Sequence, residues 1–255
     1  MKKIFILVLT ASSFVACKKE TTSTPTQAAN TNNSDTTKYI TNGIASIGKP
    51  IGKIGSGVTD IDGNTYKTVI LGSQEWMAEN LKVTQFNDET NIPNITDGNS
   101  WEYTKLAAWC YYDNDSTKNK KFGKLYNGYV VITNGNKNVC PINWHIPTNS
   151  EWNVLTDYLG GVGISGGKMK SIDNQFYKNI NIDATNTSLF SSLPGGIRGG
   201  SFFYWGGNNA YYFSSTEKDW GIIKRDIFDN TGDIGGKDEA GCGINAGMSI
   251  RCIKD

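Results

Sequence analysis

Side chains able to do chemistry are few. Of the five cysteines, Cys17, Cys110, Cys140, Cys242 and Cys252, no two form a CxxC pair. The nearest pair, Cys242 and Cys252, lacks the second knuckle or the accompanying histidines of a zinc site. The single histidine, His145, lies in Trp144-His145-Ile146-Pro147. No motif supplies the nucleophile and orienting carboxylate that a catalytic imidazole needs. Ser214-Ser215 also lacks the setting of a nucleophile elbow. His145 is therefore assigned a structural role, and no catalytic residue is assigned.

Hard oxygen donors cluster twice, in Asp60-Ile61-Asp62-Gly63-Asn64 and in Asp113-Asn114-Asp115-Ser116. Calcium favours such oxygens, but neither run completes an EF-hand loop with its terminal bidentate Glu. Turn-forming side chains that bond their own backbone account for both runs. Ca²⁺ is the ion weighed for these runs, and no cofactor is assigned. Aromatic residues are the other chemical resource: Tyr111, Tyr112, Tyr204, Trp205, Tyr211 and Trp220 exceed what one small core needs. Exposed rings can stack on sugars or on partner side chains. Strand alternation should bury about half of them. Tyr204, Trp205, Tyr211 and Trp220 are the candidate binding residues.

The N-terminus offers a different chemistry. Lys2 and Lys3 precede an apolar run from Ile4 to Ala16, the pattern of a signal peptide. The run is shorter than the roughly 20 apolar residues a spanning helix requires. It ends in Phe14-Val15-Ala16-Cys17, similar to a bacterial lipobox, so Cys17 is the expected lipid attachment site. Acyl chains contribute about 0.8 kcal/mol per buried methylene, enough for two or three chains to anchor a protein. Lipidating Cys17 also removes the odd cysteine of an exported protein. The remaining four allow three connectivities, and disulfides are their expected state.

Removing Lys2 and Lys3 takes the formal charge from +1 to −1, which gives no electrostatic footprint for nucleic acid. Residues 18 to 38 hold almost no large apolar side chain and cannot offset their ordering entropy. The organisation expected is a signal peptide over 1–16, lipidated cysteine and flexible tether over 17–57, and one folded domain over 58–255. Tyr39 to Gly57 fits either more tether or an edge strand.

Within the domain, Asp62-Gly63 marks a turn between two short strands, and Lys67 to Leu71 is a β-branched strand. Thr148 and Glu151 form a capping box after Pro147. Trp152, Leu155 and Leu159 then share one helix face, and Gly160-Gly161 ends it. Phe202 to Trp205 and Tyr211 to Phe213 flank Gly206-Gly207-Asn208-Asn209 as an aromatic hairpin. Met248 to Ile253 forms a last strand. The class expected is α+β, loop-rich, with short antiparallel strands and few helices.

Seven stretches, in order, resemble the Fibrobacter succinogenes major paralogous domain family of exported and lipid-anchored proteins. They are Asp60 to Tyr66, Gly72 to Leu81, Gly123 to Asn127, Cys140 to Thr148 with Glu151-Trp152, Leu193 to Arg198, Phe213 to Ser215, and Ser249 to Cys252. Gly128 stands where an aromatic residue often follows, and Asn143 replaces the usual glycine before Trp144. The resemblance implies a C-type-lectin-like fold, akin to formylglycine-generating enzymes, with its chain ends close together. It also implies a Cys140–Cys252 disulfide, leaving Cys110–Cys242 as a second. Fold kinship does not carry chemistry with it, and no motif here matches the cysteine pair of those enzymes.

The function expected is that of a lipid-anchored outer-membrane protein, facing the periplasm or the cell surface, with a binding or adhesion module for glycan or protein. A structural component of the envelope or matrix is the second expectation. An oxidoreductase or hydrolase on a formylglycine-enzyme-like fold is the third.

Overall fold

A computed structural model of the protein describes residues 37–132, 137–173, 175–219, 221–236 and 241–255. The expected signal peptide over 1–16, Cys17 and Trp220 lie outside the described residues. Two five-stranded sheets organise the fold. In the first, the hairpin of Thr68–Leu71 and Gln74–Met77 is central. Lys53–Ile54 pairs on one side, and Ile253–Lys254 followed by Trp144–His145 on the other. In the second, the order is Phe202–Tyr204, Ile197–Gly199, Ala246–Met248, Leu125–Asn127, Trp109–Cys110. A three-stranded sheet of Ala210–Lys218, Gly221–Ile227 and Ile234–Gly235 and two small hairpins complete the strands, and every pairing between these strands is antiparallel. Four short α-helices are present among the described residues. The class is α+β, loop-rich, with few helices.

The helix Asn149–Tyr158 opens on the expected capping box. Thr148 Oγ1 accepts from the Glu151 amide, and the Glu151 carboxylate accepts from the Thr148 amide at 2.7 Å. These bonds satisfy donors that the first helical turn leaves unpaired. Its face of Trp152, Leu155 and Leu159 is fully buried against the first sheet. There Trp76, Trp152, Phe190 and Tyr212 form an aromatic nest, with the Trp76 and Trp152 ring centroids 4.7 Å apart.

A buried cation is locked into this nest. The Arg251 guanidinium lies 4.2 Å from the Phe190 ring and donates to Asn80 Oδ1 and to the carbonyls of Phe190 and Ser191. Lys170 is similarly enclosed, its ammonium donating to the carbonyls of Ile182, Phe228 and Thr231. Burying either charge is favourable only because its donors are satisfied.

Three expectations are corrected. The tether does not extend to 57: of the two readings left open for Tyr39 to Gly57 the strand holds, since Lys38–Thr41 pairs with Ile44–Ile47 and Lys53–Ile54 joins the first sheet. Ile44 is buried in the core, and the Ile47 and Ile51 amides donate to the Thr185 and Thr187 carbonyls. Gly52 permits this approach, since a Cβ there would lie 2.2 Å from the Ser188 oxygen.

The aromatic hairpin is paired differently. Phe202–Tyr204 pairs back onto Ile197–Gly199, while Ala210–Lys218 pairs forward onto Gly221–Ile227. Gly200, at φ +58, closes the first turn, and Gly206 to Asn209 only links the two hairpins. The last strand is split into Ala246–Met248 and Ile253–Lys254. Between them the carbonyls of Ser249, Ile250 and Cys252 accept from Phe213, Leu81 and Met77.

The glycine-rich helix Val162–Met169 was not expected. Its close fit explains its composition, as a Cβ on Gly166 would lie 2.0 Å from the Asp233 oxygen.

Both departures from the family pattern have physical grounds. Asn143 has φ +64, a conformation that favours glycine and that Asn tolerates better than most residues. Gly128 packs against the Ile244 carbonyl, which a side chain would strike at 2.8 Å.

Candidate functional site

The aromatic run Phe202-Phe203-Tyr204-Trp205 lies at one edge of the second sheet, and a buried arginine fixes it there. Arg198, fully buried on the neighbouring strand, donates from Nε to the Gly200 carbonyl at 3.0 Å. Its Nη1 donates to Ile95 at 2.8 Å, and Nη2 to Thr96 and Asp97 at 3.1 and 3.2 Å. The guanidinium stands 4.3 Å from the Trp101 ring and 4.9 Å from the Phe203 ring. Phe203 therefore faces inward, and alternation turns Phe202 and Tyr204 to the opposite face. They are 60% and 44% exposed.

Trp205 follows at φ +63 and is 59% exposed. Its carbonyl accepts from the amides of Asn208 and Asn209, both at 2.9 Å, which holds the turn. At the other end of the strand, Ser201 Oγ approaches Glu102 Oε2 at 3.5 Å. The result is a row of displayed rings on a braced hairpin, bounded by polar groups.

The sequence-predicted binding residues separate. Tyr204 and Trp205 are brought together on this ridge, and Phe202, not among those candidates, joins them. Its signal was the Gly199-Gly200-Ser201 turn, which sets the alternation of the run. Tyr211 is withdrawn: it is buried, its hydroxyl accepts from Asn209 Nδ2 at 3.1 Å, and burial raises its pKa. It packs inward because its strand is covered by the large core cluster. Trp220 lies outside the described residues.

The Cys140–Cys252 disulfide is present, tying the residues before the capped helix to the C-terminal strand across 112 positions. The Cys110–Cys242 bridge is corrected, since Cys110 is a buried free thiol. Cys110 belongs to a small cluster with Trp101, Ala108 and Leu125, whereas Cys242 pairs with Ile222 in the larger one. Burial pushes the Cys110 thiol up to about 11, opposed only in part by its hydrogen bond to Arg198. A thiol so protonated and so covered is a poor nucleophile.

His145 bridges two carboxylates, with Nδ1 2.6 Å from Asp255 Oδ1 and Nε2 2.9 Å from Glu151 Oε1. Partial burial lowers its pKa, but the hydrogen bonds and charges of Asp255 and Glu151 outweigh this and the net shift is upward. Both ring nitrogens are engaged, so the ring ties the helix cap to the C-terminal strand. The acidic runs are likewise occupied. Asp60 accepts from Asn64 and from the Tyr66 hydroxyl, Asp62 from Thr84 and Gln85, and Asp115 caps a helical turn. No group of three or more His, Cys, Asp or Glu side chains suited to a metal occurs among the described residues.

No curated protein and no solved structure shows significant similarity to the chain. The family model described as the Fibrobacter succinogenes major domain matches residues 69–254, which takes in the disulfide, the capped helix and the braced hairpin. The chain belongs to that family.

Proposed function

We propose that this protein is a lipid-anchored component of the outer membrane, attached through Cys17, whose folded domain binds a glycan or protein ligand through Phe202, Tyr204 and Trp205. Trp205 carries this reading. Left-handed backbone costs a non-glycine residue about 1–3 kcal/mol and concentrates at functional sites. Among the described residues, most with that conformation are Asn or Asp, and only Leu189 and Trp205 are large and apolar. Leu189 is fully buried, so packing offsets its cost, whereas the ring of Trp205 is largely in solvent. A strained backbone that displays a tryptophan is explained by what the tryptophan contacts.

The fold is read as C-type-lectin-like. In support, Lys53–Ile54 and Ile253–Lys254, near the two ends of the described chain, share one sheet. The test is binding of the detergent-solubilised mature protein to arrays of glycans and host proteins, beside the Trp205→Ala variant. A ligand retained by the parent and lost by the variant is expected; equal binding by both removes the ridge from the function. Protease shaving of intact cells tests the surface orientation, with release of the domain expected and full protection overturning it.

A further inference from the structure

Given that binding reading, on which this step rests, we infer that the ridge takes an uncharged polysaccharide chain lying across its rings. The shape of the edge argues against a protein strand. Strand addition works by main-chain pairing along an exposed sheet edge, and this edge is three residues long, Phe202–Tyr204. Gly199 pairs with Phe202 and Ile197 with Tyr204 across a two-residue turn. In that antiparallel register Phe203 alone turns its amide and carbonyl outward. Beyond Tyr204 the strand is broken by the left-handed Trp205, and before Phe202 by the turn. One residue of pairing is too little to hold a peptide.

The rings themselves fit a sugar. A Cβ on Gly199 would lie 3.1 Å from the Tyr204 ring. The bare glycine makes room for the edge of that ring, which stays 44% exposed. Phe202 points to the same face, its Cα about 7 Å along the strand from that of Tyr204, so both rings are offered on one surface. The negative face of an aromatic ring attracts the positive C–H groups of a pyranose.

Groups that serve sugar hydroxyls stand at both ends. Ser201 and the Glu102 carboxylate are at the turn, and Asn208, held by Asp229 at 2.8 Å, lies beyond Trp205. Lys178 lies along Gly207 on that same side. Charges of both signs flank the rings, so no field selects an acidic or a basic chain.

The experiment is native affinity electrophoresis of the detergent-solubilised mature protein in gels containing mixed-linkage β-glucan, arabinoxylan, galactomannan or polygalacturonate. Extended aromatic-rich peptides are tested in parallel by fluorescence anisotropy. At least one uncharged polysaccharide should retard the protein. Phe202→Ala, Tyr204→Ala and Trp205→Ala should each weaken that retardation tenfold or more, and Tyr204→Phe should keep it. Because all three rings are exposed, thermal melts should show each variant folded, and Trp205→Gly supplies a second variant with relaxed backbone.

Retardation that the ring variants leave unchanged overturns the inference. Ring-dependent binding of peptide alone overturns the glycan assignment, and binding of polygalacturonate alone overturns the choice of an uncharged chain; either leaves the binding reading standing. If no probe of either kind is bound, this inference falls, and the binding reading is decided by the arrays of glycans and host proteins.

Discussion

Two groups of aromatic residues in this protein draw on the same three residue types and have opposite fates. In the nest, Trp76, Trp152, Phe190 and Tyr212 are buried around the Arg251 guanidinium. On the ridge, Phe202, Tyr204 and Trp205 lie in solvent on a hairpin braced by Arg198. Each arginine donates to main-chain carbonyls and stacks on rings, yet one fixes a core and the other holds up a surface. Trp76, Trp152, Arg198 and Arg251 all fall in the stretches that mark the family, whereas Phe202, Tyr204 and Trp205 fall between them. Family resemblance therefore reports on the scaffold, and the ligand must be sought in the stretches the resemblance skips.

Substitutions on the two sides should separate stability from binding. Arg251→Met should have the largest effect, about 3–5 kcal/mol of lost stability by urea melts, because it leaves buried carbonyls without their charged donor. Retained stability would show that the nest holds without its cation. Replacing Cys140 and Cys252 together by alanine should cost about 2–5 kcal/mol, the range for a native disulfide in an exported domain. Gly166→Ala should cost about 1–3 kcal/mol through overpacking against Asp233. A variant as stable as the parent would mean the helix can move away. On the ridge, Trp205→Gly should be neutral or stabilising by up to about 1 kcal/mol, since it relieves a left-handed backbone and exposes no core. A loss comparable to that of Arg251→Met would erase the contrast between the two regions.

The smallest effect concerns His145. Its folded pKa is raised, so the stability it contributes is fully present below its unfolded value of about 6.5 and is lost as pH rises through the folded value. Glu151 is shifted down: burial opposes this, but the Thr148 and His145 bonds prevail, and it stays ionised across that window. Comparing the parent with His145→Gln from pH 5 to 9, the gap in stability should narrow toward high pH. A constant gap would assign the ring a purely packing role.

What the sequence made legible was local. Thr148 and Glu151 are three residues apart, and both halves of the capping box form; the buried helix face follows at its expected spacing. Missed features depend on distant atoms. Val162–Met169 carries Gly163, Gly166 and Gly167, which argue against a helix until the carbonyls of Asp183 and Asp233 are seen packed against two of them. For the aromatic run, two turns competed to close the hairpin, and composition alone did not show that Gly200-Ser201 would win over Gly206 to Asn209. Cys110 illustrates the same limit: cysteine parity counts thiols, whereas its pairing depends on which cluster encloses it. The stretch Tyr39 to Gly57 carried two meanings, tether or edge strand, and its strand pairing and contacts with Thr185 and Thr187 decide for strands.

If the domain is anchored at its N-terminal side as proposed, the small hairpin of Lys38–Thr41 and Ile44–Ile47 has a mechanical consequence. Tension reaching Lys38 acts on the Lys38↔Ile47 pair, the open end of the hairpin, so its bonds would break in succession instead of being sheared together. Peeling Lys38–Thr41 away would release about 20 Å of extended chain before load reached Ile44, which is held in the core. Under flow or pulling, this hairpin is the element that gives way first, a compliant spring in series with the sheet that bears the braced core.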